Sequence, residues 1–154
     1  MARSKPDVTV IERTERIARP VGEIFAFFDQ PSNLKRVLPG GLAVSLENHP
    51  LDLRPGTLFR YRLRRWPLDL EWDVVVSLYH PPAKFTHVKA KGYFPRWQLA
   101  HEIVALDRHS ELQMCLSYEV PPGIYASLTN SYVIREAMEE LISAEIRAVR
   151  DALA

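Results

Sequence analysis

The sequence predicts an α+β domain in which a curved, seven-stranded antiparallel sheet wraps one long C-terminal helix, with two short helices after the first strand. Three observations carry this. Residues 42–120 alternate apolar and polar side chains in six runs separated by turn residues, the period of a sheet with one buried face. Residues 125–152 contain neither proline nor glycine, and Leu128, Ile134, Met138, Leu141, Ile142, Ile146 and Val149 share one arc at about 100° per residue, as on a helix covered along one side. The chain of 154 residues falls within the range of one domain, so 1–154 reads as a single unit with an ordered core over about 7–152.

Taken in order, residues 7–18 alternate loosely, and the β-branched Val8, Val10, Thr14 and Ile17 favour a strand. Pro20 suits a helix start, and Val21, Ile24, Phe25 and Phe28 recur at three- and four-residue spacing, which predicts a short helix over 20–29. Pro31 interrupts it. Ser32 and Asn33 can cap a second short helix through Leu38, ended by Pro39-Gly40-Gly41. The six strands of the meander fall at about 42–48, 57–65, 69–79, 84–91, 96–106 and 111–120. Within them Phe59, Tyr61 and Leu63 oppose arginines, and Leu70, Trp72, Val74 and Val76 oppose acidic residues, so one face is buried and the other wet. Pro121-Pro122-Gly123 closes the meander before the long helix.

Twenty basic residues against nineteen acidic ones leave a net charge of +1, too little to attract nucleic acid or an anionic membrane as a whole. Arg60, Arg62, Arg64 and Arg65 read as the wet face of a strand. One cysteine, Cys115, excludes an internal disulfide and a multi-cysteine metal site. There is no run of about 18 apolar residues and no secretory h-region. These features suggest a cytoplasmic protein with no stable membrane insertion and no nucleic-acid partner; a homo-oligomer is not predicted. No G-x-S-x-G, P-loop, G-x-G-x-x-G or H-E-x-x-H motif occurs.

Five stretches, "IARPVGEIFAFFDQPSNLKRVLPG", "LRPGTLFRYRLR", "WDVVVSLYHPPAKFTH", "KGYFPRW" and "VIREAMEELISAEI", carry a family resemblance. In order and spacing they resemble the START-like (SRPBCC) superfamily, which includes the birch-pollen-allergen fold and polyketide cyclase/dehydrase-like proteins. Gly56-Thr57, Pro81-Pro82 with Phe85, and Lys91-Gly92 with Trp97 match the texture of its small bacterial ligand-binding members. The resemblance spans about Val10 to Ala148. It implies a helix-grip fold with a ligand cavity between sheet and C-terminal helix, and no cofactor. Such relatives often carry two histidines two residues apart after the tryptophan. Here the first position is Leu99 and only His101 remains, which counts against paired-histidine chemistry of that kind.

The inward parity of the meander gathers Phe59, Tyr61, Trp72, Phe85, His87, Trp97, His101, Met114 and Tyr118, an aromatic set with a few polar tips. These are candidate ligand-binding residues or plain core. Counting outward from Phe94, His87 would face His101 across a hairpin, with Cβ atoms about 4.5–5.5 Å apart. Such a pair could bind a polar group or move protons, so His101 and His87 are the candidate catalytic residues, with satisfied core histidines as the bland reading. A metal is disfavoured because a third ligand at helpful spacing is missing. Lys89 and Lys91 share the inward parity and suit a cavity mouth. On the long helix, Ser131 and Arg135 fall on the sheet-facing side, Arg135 needing a protein acid or an anionic ligand. Glu145, close to the C-terminal end, reads as partly exposed.

The leading functional expectation is binding of a small hydrophobic or aromatic molecule (a lipid, quinone or polyketide-like compound). A cyclase or dehydratase using His101 as acid–base, with His87 or Tyr61, is the alternative. A protein-interaction module is the third.

Overall fold

The computed structural model describes residues 8–48, 54–121 and 128–154. Eight strands form one antiparallel sheet: β1 (Val8–Ile17), β2 (Arg36–Val37), β3 (Leu42–Leu46), β4 (Leu58–Arg65), β5 (Leu68–His80), β6 (Lys84–Gly92), β7 (Arg96–Ala105) and β8 (Ser110–Glu119). Their spatial order is β1-β8-β7-β6-β5-β4-β3-β2, so the meander from β2 to β8 runs through neighbours and β1 closes the far edge against β8. Helix α1 (Val21–Phe28) and a single 3-10 turn (Pro31–Leu34) follow β1, and α2 (Leu128–Ala152) ends the chain.

The count differs by one from the sequence reading, because the second short helix stops after one turn. Lys35 is extended, and Arg36 and Val37 pair with Val44 and Ala43. A four-residue segment opened by proline has too few backbone bonds to propagate a helix, whereas β-branched Val37 fits a strand. The predicted start of α2, 125–127, lies outside the described residues, as does the side chain of Leu128 and the break at His49-Pro50.

Ile134, Met138, Leu141, Ile142, Ile146 and Val149 of α2 are buried against the inward side chains of the sheet, including Phe59, Tyr61, Leu63, Trp72, Val74, Trp97, Leu99 and Leu116. Burying each large apolar side chain contributes about 1.5–3 kcal/mol. The predicted alternation therefore marks the contact between sheet and helix. On the outer face, Arg60 pairs with Asp73 at 2.9 Å and Arg62 with Asp69 at 3.2 Å, so these arginines do form a wet strand face.

Gly92 shows why the Lys91-Gly92 turn belongs to the site. It pairs with Trp72 at φ +116°, and an added Cβ would lie 2.5 Å from Glu71 O and Trp72 Cα. Only glycine allows the strand to pass this close to the backbone and Cβ of Trp72. Two irregularities in the β5–β6 ladder, at Asp73/Val74 and Val76/Leu78, break strict alternation. Lys91 consequently sits opposite Asp73 and is exposed, and Lys89 is half-buried; Lys91 does not share the inward face as its parity suggested. Among the described residues, no helix is long and apolar enough to cross a membrane.

Candidate functional site

Alternation along β6 and β7 brings both histidines to the inner face, His87 0% and His101 2% exposed. The register is two residues from the expected one: Phe85 faces His101 and His87 faces Leu99. β6 stays hydrogen-bonded to β5 as far as Gly92, Tyr93 N donates to Glu71 O, and Phe94 tucks edge-on against Trp72, which moves the centre of the β6–β7 turn by one residue. A shift of two keeps every side chain on its face. The imidazoles are thus diagonal neighbours, with centroids 5.6 Å apart, and His101 stacks on Phe85 at 4.1 Å.

His101 has a partner that its strand does not supply. Its Nε2 lies 2.9 Å from Glu145 Oε2, and both side chains are buried, Glu145 at 2% exposed. Glu145 is not partly exposed as the sequence suggested. Leu141 and Val149 flank it at four residues on either side and Ile142 precedes it by three, so it stands in the middle of the buried stripe of α2. The signal was available, as a carboxylate at the centre of an apolar arc marks a buried pair. Near it, the Tyr61 hydroxyl is pushed well above its usual range, chiefly by burial and then by Glu145, with Arg36 opposing. Arg36 was also missed, because the sequence placed it in a helix; β2 sets it opposite Val44, which in turn faces Tyr61.

The cluster leaves polar atoms without partners. Nδ1 and Nε2 of His87, Nδ1 of His101, Nε1 of Trp72, and Nε and one terminal nitrogen of Arg36 are buried with no hydrogen-bond partner among the described residues. Burial, and secondarily the neighbouring His101, drives the His87 pKa well below 6.5. His87 is therefore neutral, stacked on Phe59 at 5.3 Å.

The predicted aromatic set is buried together. Tyr61 stacks on Trp72 at 5.4 Å and tilts against Trp97 at 5.1 Å, while Trp97 Nε1 donates to Met138 Sδ at 3.4 Å. Phe28 from α1 lies 5.1 Å from both Phe85 and His101. Met114 faces His101 on β8, and Tyr118 lies 5.7 Å from Phe94. These side chains pack on one another and on α2, so a molecule held among them displaces side chains. A hollow of about 290 Å³ lies at the rim between sheet and helix, lined by Leu38, Pro39, Leu42, Arg65, Glu136 and Ala137.

Arg135 does not join the site. It is exposed and pairs with Glu139 at 3.2 Å on its own helix, a pairing that needs no burial. Ser131, half-buried, stands one turn before it. Cys115 alternates to the outer side, and burial raises its thiol pKa, which does not favour a thiolate. Among the described residues no group of three or more His, Cys, Asp or Glu is placed to hold a metal ion.

No family model and no curated protein matches the sequence. Solved structures do match over nearly the whole chain. A protein of Thermus thermophilus superposes with a TM-score of 0.72 at 12% identity, covering 93% of this chain and 95% of that one. A START superfamily protein from Mycobacterium smegmatis gives 0.62 at 14% identity, covering 94% and 99%. The chain has the START-like helix-grip fold. An aromatase/cyclase, Zhui, from Streptomyces sp. R1128 shares this helix-grip architecture, with a TM-score of 0.65 at 13% identity over 95% and 91% of the two chains. Within the helix-grip frame, His87 and His101 sit on the gripping sheet and Glu145 on the gripped helix.

Proposed function

We propose that the protein binds a small hydrophobic or aromatic molecule of lipid, quinone or polyketide type between the sheet and α2, among Phe59, Tyr61, Trp72, Phe85, Trp97, Met114 and Tyr118. The observation that carries this is the set of nitrogens on His87, His101 and Trp72 that have no partner among the described residues, inside an aromatic core. Each buried, unsatisfied polar group costs about 1–3 kcal/mol, and an apolar side chain at the same place would avoid that cost. A bound molecule with one or two polar atoms satisfies them and covers its apolar body with aromatic rings. Native mass spectrometry of protein purified without added ligand tests the reading. Co-purified mass released by organic solvent is the expected result. Bare protein that also takes up no aromatic or lipid probe would overturn it.

A second reading is acid–base catalysis of the cyclase or dehydratase kind, favoured by the His101–Glu145 contact at 2.9 Å. A carboxylate on one imidazole nitrogen fixes the tautomer and supports proton uptake at the other. His101 is then the acid–base and Glu145 its positioning residue.

A further inference from the structure

We propose that the bound molecule ends in a carboxylate, held by the Nε and Nη2 side of the Arg36 guanidinium at the β2 edge of the sheet. The inference rests on the binding function proposed above and names the group by which its ligand is anchored. A guanidinium carries five N–H donors, no acceptor and a permanent positive charge, so what it asks for does not depend on a proton assignment. Nη1 donates to Lys35 O at 2.9 Å. Nε and Nη2 are buried and have no hydrogen-bond partner among the described residues, while Glu145 is engaged by His101. Elsewhere in the protein the same two atoms hold carboxylates. Arg60 donates from Nε and Nη2 to the two oxygens of Asp73 at 2.9 and 3.4 Å, and Arg62 does so to Asp69 at 3.2 Å for each bond. The parallel N–H groups on that side of a guanidinium match the paired oxygens of a carboxylate. In Arg36 the same fork is buried and unpaired among the described residues.

The strand ladder aligns Arg36 with the aromatic interior. Directly opposed residues of antiparallel strands share a face. Arg36 opposes Val44, Val44 opposes Tyr61 and Tyr61 opposes Trp72, so one row runs from the sheet edge inward. Val44, Tyr61 and Trp72 are buried, which makes this the inner face. The Arg36 charge is felt there, opposing the upward shift of the Tyr61 hydroxyl that burial and then Glu145 produce. Trp72 Nε1, further along the row, is a second buried donor with no partner among the described residues, and an indole N–H never accepts. The row therefore asks for oxygens. A neutral carbonyl suits Trp72 but leaves the guanidinium charge uncompensated, and an ammonium adds a like charge. A carboxylate brings both acceptors and the opposite charge. Because β2 is an edge strand, the charged group sits at the rim while the apolar body lies along the row.

Calorimetric titration of the intact protein and of its Arg36→Gln and Arg36→Lys variants with 2-naphthoate, 2-naphthamide and naphthalene-2-phosphonate tests this. The first two share a shape and differ in charge; the third offers a tetrahedral oxyanion. The parent is expected to bind the carboxylate at least about tenfold tighter than the amide, equivalent to about 1.4 kcal/mol, and tighter than the phosphonate. Arg36→Gln loses the preference over the amide, and Arg36→Lys, which keeps the charge without the fork, shows a smaller one than the parent. Without ligand, Arg36→Gln is expected to melt no lower than the parent, because it removes an unpaired buried charge. A clear drop in its Tm marks a structural arginine and overturns the inference. Equal binding of acid and amide by the parent overturns it too and leaves the binding function standing. A preference that survives in Arg36→Gln overturns the assignment to Arg36, and tighter binding of the phosphonate overturns the choice of a carboxylate. Where co-purified mass is present, a carboxylic acid supports the inference and a neutral molecule overturns it. Absence of binding by all three, in protein that also carries no co-purified mass, overturns the binding function itself.

Discussion

Replacing His87 by leucine separates a ligand-facing polar group from an ordinary core residue. His87 is wholly buried, has no hydrogen-bond partner among the described residues, and has a pKa driven well below its ordinary 6.5 by burial and by His101. A histidine with a depressed folded-state pKa takes up its proton only when the chain unfolds. Stability is therefore intact above 6.5 and falls as pH drops below it, by about 1.4 kcal/mol per unit. Between pH 7 and pH 5 this amounts to roughly 2 kcal/mol, or about 4–8 °C in Tm for a chain of this size. His87→Leu removes that dependence. At pH 7 it also removes two unsatisfied nitrogens, each costing about 1–3 kcal/mol, against a lost ring stacking on Phe59 of about 0.5–1.5 kcal/mol. The variant is expected to match or exceed the parent at pH 7 and to exceed it by roughly 2 kcal/mol more at pH 5. Guanidinium unfolding of both proteins at the two pH values measures this, since groups common to both cancel. Parallel losses in parent and variant would refute a neutral, unpartnered His87.

Three further expectations follow from the same geometry. His101→Leu or Glu145→Leu alone is expected to cost about 3–5 kcal/mol by stranding a buried partner, while the double variant returns to within about 1 kcal/mol of the parent or above it; chemical denaturation of the four proteins gives the coupling. Phe28→Ala is expected to cost about 3–5 kcal/mol and to open space beside His101, detectable as phenol binding that the parent shows more weakly. Arg135→Ala should change stability by no more than about 0.5 kcal/mol and leave probe binding unaltered, because its pair with Glu139 is exposed and within one helix.

The sheet and the gripped helix were legible because period-two and 3.6-residue patterns report directly which side is buried, and here they agree from Phe59 to Val149. The same parity placed His87 and His101 on the inner face. What escaped was everything set by competition between neighbours. The β6–β7 register depended on β6 remaining bound to β5 through Gly92, a contact between distant residues. β2 depended on Val44 and Ala43 being present to pair with it. Arg135 and Glu145 exchanged roles for a different reason. Long basic side chains at the edge of an apolar arc reach water easily, whereas a glutamate between Leu141 and Val149 cannot, and the imidazole facing it makes its burial tolerable. A buried carboxylate on the helix thus implied a cation or donor on the sheet, and His101 was the available one.

In the proposed binding mode the interior around His101, and not the outer face of the sheet, receives the ligand. Intermolecular NOEs between 2-naphthol and protein labelled at its methionine methyls test it most directly, because Met114 faces His101 across β7–β8 and Met138 touches Trp97 from α2. Cross-peaks from the naphthol ring to both methyls are the predicted result. Binding without contact to either methyl, or contact confined to outer-face residues such as Thr14 and Lys84, would contradict the account.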